Sequence, residues 1–344
     1  MKNLEFSSPS KFGNVAAGDA IAVLQILPQK VSVSTSLKAA DNLCTRDAEV
    51  SIMPIYDALS ALPNGEPSPW GDPKKISYEQ RDVLLYAVGI GLTDLRFTYE
   101  GHPEYSVFPT FPIRWGGAGA PIYEQYIPKS PLPLMIDAER YLSVEKPLPL
   151  EGTVTLQSRV IGIHPRGKGY GFVECETLVT DADGEVCVRM ANGSFRRGVK
   201  ELGDIQPFTG SGQTYSSKIE VPARTPDVSL ETEISANQAQ IYRLSGDYNA
   251  LHIDPSAAHF GGFEEPILHG LCTLGHVANM LLSAFCGGES KLFRKLKVRF
   301  SAPVYPGDTL GLRAWHDGDG RALFEVHVGE VVVIKNAYFE YRSA

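Results

Sequence analysis

Tyr242-Arg-Leu-Ser-Gly-Asp-Tyr-Asn-Ala-Leu-His252 places Asp247, Asn249 and His252 within six residues of one another. A carboxylate, an amide and an imidazole this close are the parts needed to hold and polarise one water molecule. The aspartate accepts, a neutral histidine offers one donor and one acceptor, and an asparagine amide can bridge. Such acid–base equipment contributes about 10²–10⁴-fold to a rate. Gly246 and Asn249 are residue types that leave a helix and begin a turn, so the three side chains are expected on a loop after a helix. Spacing alone favours a plainer alternative, in which Asp247 and Asn249 cap the following helix and His252 is buried and satisfied. A metal site over His252, Asp254 and His259 is disfavoured, because no histidine pair stands at i, i+4 with a glutamate between.

Working outward, Gly262-Phe-Glu-Glu-Pro-Ile-Leu-His-Gly-Leu-Cys272 adds His269 and Gly270 at the entrance of an apolar helix over 270–285. N–H groups in the first turn of a helix are unpaired and suit an oxyanion. Gly270 would let a carbonyl approach closely. His269 is equally suited to a bond with the backbone and to a direct role.

The rest of the chain supplies two series of strands. Gly152–Val160, Gly171–Val179 and Glu185–Met190 alternate in polarity, with Asp183-Gly184 as a hairpin signal. Strands are also expected at 292–304, 308–316, 321–329 and 330–341. A helix is expected from Ser77 to Gly91, with Ser77 and Gln80 as a capping box, and another from Ser235. Residues 50–62 read as a short helix. Laying the first helix on the one before Asp247 aligns either Gly89 with Gly246 or Tyr86 with Tyr242. In neither register does the first copy carry the polar set, as expected of a duplication in which one copy lost its chemistry. Two unrelated amphipathic helices that look alike remain the alternative.

The 344 residues suit two domains. A net charge of −8 speaks against a nucleic-acid partner. The exception is local: Lys291-Leu-Phe-Arg-Lys-Leu-Lys-Val-Arg299 holds five cations in nine residues. It reads as a strand with a solvated basic face, or as a landing site for phosphates through Arg294, Lys295, Lys297 and Arg299. Five cysteines without a Cys-x-x-Cys pair point to a reducing compartment. No apolar run reaches the roughly 20 residues that span a bilayer, and no secretory signal is read at Met1-Lys-Asn-Leu-Glu-Phe. The tail Tyr341-Arg-Ser-Ala344 is not a Ser-Lys-Leu peroxisomal address. There is no Gly-x-Ser-x-Gly elbow, phosphate-binding loop or dinucleotide fingerprint. Gly167-Lys-Gly-Tyr-Gly171 reads as a hairpin turn.

The stretch from Tyr242 to Pro255, followed by Gly262–Cys272, resembles the signature of the MaoC-like (R)-specific 2-enoyl-CoA hydratase 2 family. Val298-Arg-Phe-Ser-Ala-Pro-Val-Tyr-Pro-Gly-Asp-Thr-Leu310 is similar to the family's next strand and turn. Arg81-Asp-Val-Leu-Leu-Tyr86, Asp94-Leu-Arg-Phe-Thr-Tyr-Glu100 and Phe108-Pro-Thr-Phe111 look like its eukaryotic two-domain form. The resemblance runs from about Ile76 to the C-terminus. It implies an α+β double hot-dog fold, each half a curved antiparallel sheet wrapped around a central helix. Residues 1–200 would be a non-catalytic hot-dog domain with an N-terminal extension, housing the acyl chain. Residues 201–228 would be a linker and 229–344 the catalytic hot-dog domain.

Asp247, Asn249 and His252 then fall on the family's catalytic positions and Gly270 on the one whose N–H binds the thioester oxygen, with His269 beside it. The implied reaction is reversible hydration of trans-2-enoyl-CoA to (3R)-hydroxyacyl-CoA, without metal or redox cofactor. Asp247 and His252 would share the proton transfers as one coupled unit. An acyl-CoA substrate, a homodimer, and a cytoplasmic or, by family analogy, peroxisomal location are implied with it. The chain departs from the family at Ala250, where proline is usual. It also carries Asp137-Ala-Glu-Arg140 for a His-Gly-Glu-Gln stretch, and Val199-Lys-Glu201 for a glycine-rich run after Phe195-Arg-Arg-Gly198. These changes leave a dehydratase of a specialised acyl thioester as an alternative. A non-catalytic acyl-CoA binder or thioesterase is a weaker one.

Overall fold

Eleven strands form one antiparallel sheet in the computed structural model, which describes residues 67–115, 130, 135–166, 170–197, 208–209 and 218–342. The first half contributes β1 (Lys74–Tyr78), β2 (Met135–Val144), β3 (Gly152–Pro165), β4 (Tyr170–Thr180) and β5 (Val186–Arg197). A two-residue β6 (Phe208–Thr209) pairs with β3 at Gly162 and Ile163. The second half contributes β7 (Val228–Glu233), β8 (Phe293–Phe300), β9 (Thr309–His316), β10 (Arg321–Val328) and β11 (Val331–Tyr341).

The strand order is β1-β3-β4-β5-β2-β8-β11-β10-β9-β7. From the centre to either edge the two halves have the same connectivity: β2-β5-β4-β3-β1 on one side and β8-β11-β10-β9-β7 on the other. They meet where β2 pairs antiparallel with β8, Leu142 opposite Leu296 and Tyr141 opposite Lys297. This is the repeated plan expected from the sequence, and it is a double hot-dog.

The helices follow the same duplication. α1 (Gln80–Gly89) follows β1, and α2 (Leu95–Thr98) is a single turn capped by Asp94. In the second half α3 (Gln238–Tyr242) continues as a 3-10 turn over Arg243–Ser245. Tyr86 of α1 faces Tyr242 with ring centroids 6.3 Å apart. A residue near an internal two-fold meets its own counterpart, so the Tyr86/Tyr242 register is the one the packing favours. Gly91, Thr93 and Arg96 then occupy the first-half places of Asp247, Asn249 and His252. Arg96 is spent there on ion pairs with Asp94 and Glu289.

α4 (Pro255–Gly261) is short. α5 (Gly270–Cys286) is the long apolar helix, with twelve of its 17 residues buried. The loop after α1 lies on it so closely that a Cβ on Gly275 would meet Ile90 at 2.4 Å, and one on Gly91 would meet His276 at 2.2 Å. A single apolar cluster runs through both halves, from Tyr78 to Phe339. In the first half, the stretch before β2 that corresponds to α5 is described only at the 3-10 turn Phe111–Trp115.

Several boundaries differ from expectation. Ser77 lies in β1, its Oγ 2.8 Å from Thr153 Oγ1, because Lys74–Tyr78 pairs with the start of β3. The capping box is made instead by Glu79 and Asp82. Strands β1, β2 and β7 lie outside the stretches expected as strands. β1 and β7 are exposed sheet edges, while β2 buries Glu139 and Arg140 among its apolar residues. The stretch expected as a linker contains β6 and reaches the first residue of β7. The Asp183-Gly184 hairpin is present, with Gly184 at φ 83° and Asp181 Oδ1 accepting from Asp183 N–H and Glu185 N–H. The expected helix over 50–62 and the turn at 167–169 lie outside the described residues.

Candidate active site

The helix before the site ends at Gly246, whose φ of 118° a side chain would strain. The chain then turns sharply and exposes the side chains that follow. Asp247 is half-buried, and its Oδ1 accepts the Asn249 N–H at 3.2 Å. Asn249 is exposed, and its Oδ1 accepts the Leu251 N–H at 3.1 Å, capping the 3-10 turn Ala250–His252. The capping alternative is thus present for Asn249, which sets the geometry by holding the turn that carries His252.

His252 is buried, and its Nδ1 lies 2.9 Å from the Ile267 carbonyl oxygen. That oxygen can only accept, so Nδ1 carries the proton and Nε2 keeps its lone pair. Burial pulls the His252 pKa below its ordinary value, against the opposing pull of the Ile267 bond and the Asp247 charge. The ring is therefore a neutral base at physiological pH.

His269 lies against the face of that ring. The two imidazoles are stacked, with centroids 3.7 Å apart and 26° between planes. The Tyr242 ring is also in contact with His269, at 4.8 Å between centroids. His269 Nε2 donates to the Asp247 backbone oxygen at 3.2 Å. It is 1% exposed, and burial with the neighbouring His252 lowers its pKa to about 4. Gly270 follows as the first residue of α5, with the Phe300 ring 3.4 Å from where a Cβ would stand. The N–H groups of Gly270 and Leu271 precede any intrahelical carbonyl they could reach.

Ligand-type atoms of Asp247, His252 and His269 all lie within 4.8 Å of one another. Imidazole binds a metal in its ring plane. Two nearly parallel rings one above the other do not converge their lone pairs on one point. The site thus sets a carboxylate and an imidazole nitrogen close together beside a helix start.

A family model described as the MaoC like domain matches residues 218–337, and one described as the MFE-2 hydratase 2 N-terminal domain matches residues 76–198. A probable enoyl-CoA hydratase 2 of Dictyostelium discoideum is 33% identical, the match covering 73% of this chain and 87% of that one. The chain belongs to the MaoC-like hydratase 2 family. It is also 36% identical to a mouse peroxisomal multifunctional enzyme type 2, over 77% of this chain but only 36% of the mouse protein. The chain thus spans about a third of the length of that relative. A crystal structure of a MaoC-like dehydratase from Phytophthora capsici superposes with a TM-score of 0.72 at 35% identity, covering 84% of this chain and 99% of that one.

Within this hydratase 2 fold, Lys295, Lys297 and Arg299 of the basic strand are held in ion pairs. Lys297 is 1% exposed, donates to the Asn336 carbonyl at 2.7 Å and lies 3.7 Å from Glu139. Arg299 donates to Glu139 at 3.1 Å, and Lys295 pairs with Glu340 at 2.7 Å. The strand pairs with both β2 and β11, so Lys297 and Arg299 meet Glu139 across the seam while Lys295 meets Glu340 within the second half. Arg294 is half-buried.

Sequence reasoning also missed two features of the site. The Ile267 carbonyl is backbone, and no side-chain pattern announces it. The Asp137–Arg140 pair, with Nε donating at 2.8 Å, sits within electrostatic reach of Asp247. Desolvation raises the Asp137 carboxyl, Arg140 opposes this and Asp247 adds to it. The departure from His-Gly-Glu-Gln was the signal for it.

Proposed function

We propose that this chain catalyses reversible hydration of trans-2-enoyl-CoA to (3R)-hydroxyacyl-CoA. The observation that carries the reading is the neutral His252 Nε2, fixed by Ile267 and held beside Asp247 at the entrance of α5. The water oxygen bonds C3 of the enoyl group, and one of its protons passes to the Asp247/His252 pair. The pair returns a proton to C2, and the electrons of the double bond are used in the new C–H bond. Negative charge builds on the thioester oxygen meanwhile, and the Gly270 N–H stabilises it. Neither a metal nor a redox cofactor takes part. The names of the hydratase relatives support the substrate class, and the peroxisomal relatives support an intracellular location. Among the described residues no helix is long and apolar enough to cross a membrane.

The test is hydration of crotonyl-CoA and of a long-chain trans-2-enoyl-CoA, followed by chiral analysis of the product. A (3S) product, or thioester cleavage without hydration, would remove this reading. The altered Asp137-Ala-Glu-Arg140 stretch beside Asp247 favours comparing acyl chains with polar or branched ends in the same assay, run in the dehydration direction as well.

A further inference from the structure

The proton transfers use Asp247 and His252 and leave His269 without a task. It is nonetheless the most enclosed polar side chain of the three, at 1% exposure. Three contacts meet on it. Its ring covers the face of His252, with centroids 3.7 Å apart. Its Nε2–H reaches the Asp247 carbonyl oxygen at 3.2 Å. Its own carbonyl accepts the N–H groups of Cys272 and Thr273 at 3.0 and 3.1 Å, which fixes the first turn of α5. One residue thereby ties the base, the backbone of the carboxylate and the helix start that presents Gly270.

We propose that His269 is a positioning residue that acts through His252 and Asp247, holding the imidazole face and the Asp247 backbone in register without touching substrate. Of the two roles open to it in the sequence, His269 takes the bond with the backbone, because the Nε2 that could have reached a substrate carbonyl is bonded to Asp247. The inference rests on His252 being the working base.

The arrangement does not tolerate a charge on both rings, since two stacked imidazolium ions repel. The groups facing His269 are His252 on its 3-10 turn, Asp247 on the turn after Gly246, and Tyr242 and Arg243 at the end of α3. Only Asp247 favours a cation. Burial, His252 and Arg243 oppose it. His269 also shields one face of His252 from water, which helps keep that base below its ordinary pKa.

Two substitutions separate the contacts. His269→Phe keeps the stack and loses the donor, whereas His269→Gln keeps an N–H donor and loses the stack. Both are expected to fold, with KM within about twofold of wild type and kcat lower by about 10- to 100-fold. In His269→Gln the His252 ring becomes hydrated. The acid limb of kcat/KM and the NMR titration of His252 should both move to higher pH. Activity of both variants within about threefold of wild type would overturn the proposal. A rise in KM matching the loss in kcat/KM would assign direct substrate contact instead. Loss of the fold in both variants would make the role purely structural. The NMR titration needs no substrate, so a wild-type enzyme inactive on enoyl-CoA would sink the hydration reading and leave the positioning result to stand or fall separately.

Discussion

His252 donates from Nδ1 to the backbone oxygen of Ile267, a residue fifteen positions further along the chain. This bond leaves one nitrogen of the ring with a lone pair, and a substitution that removes that nitrogen removes the base. His252→Gln and Asp247→Asn are each expected to lower kcat by at least about 10²-fold, with circular dichroism unchanged. Near-wild-type turnover by either folded variant would take that residue out of the mechanism.

The pH dependence follows from the direction of the histidine shifts. His252 must be neutral to act and is held below its ordinary value of 6.5 by burial. The acid limb of kcat/KM should therefore lie below that ordinary value. Stability behaves alike. His269 and His276 are both lowered to about 4 by burial, so the unfolded chain binds more protons than the folded one below pH 6.5. Their contribution is complete above 6.5 and is lost as pH falls toward 4. Urea midpoints at about pH 7.5, 5.5 and 4.5 would show this as a decline confined to the acid side, and a midpoint constant across that range would refute it.

Gly270 allows a sharper test of the oxyanion donor than an ordinary truncation. Proline is favoured at the first position of a helix and its missing N–H costs the helix nothing there. His269 already has the extended conformation that precedes proline, at φ −57° and ψ 129°. Gly270→Pro should leave the melting curve near wild type while kcat falls by about 10²–10³-fold. Gly270→Ala keeps the N–H and should cost much less, its methyl resting at contact distance from Phe300.

The seam between β2 and β8 predicts a stability effect where the sequence suggested a ligand effect. Removing one partner of a buried ion pair leaves the other uncompensated and costs about 3–5 kcal/mol. Arg299 also faces Glu139, so Lys297→Met is expected at the lower end of that range. Adding Glu139→Gln should recover much of the loss, while KM for an acyl-CoA changes little. A large rise in KM at unchanged stability would restore the phosphate role to Lys297.

Gly246 stands at φ 118° in open surroundings, where a methyl group added to it would have Arg114 Nη2 as its nearest neighbour, at 3.9 Å. Gly246→Ala should therefore cost about 1–2 kcal/mol through backbone strain alone, read as a lower Tm together with a lower kcat, because Asp247 is the next residue.

What could be read from the sequence divides along physical lines. The strands β3 to β5 and β8 to β11 and the helix at Gly270 announce themselves because one face of each is apolar. β1 and β7 are harder to read because these edge strands are short and mostly exposed, and β2 because Glu139 and Arg140 are buried among its apolar residues. Asp247 and His252 were legible as a polar set close in sequence. The surroundings that fix the His252 tautomer and enclose its ring were not, since they come from the Ile267 backbone and from the His269 ring, both well beyond the turn that carries it. The cations of the basic strand were visible in the sequence, whereas the carboxylates that pair with them, Glu139 and Glu340, come from other strands.

The β2–β8 pairing has an evolutionary consequence. In a symmetric pair of separate chains every substitution appears twice, and each copy must keep both its chemistry and its half of the contact. Joining the two copies into one polypeptide makes the partner permanent at any dilution and lets the copies diverge. Gly91 and Arg96 show that divergence: at the first-half counterparts of Asp247 and His252, one packs against His276 and the other pairs with Glu289, both of the second half.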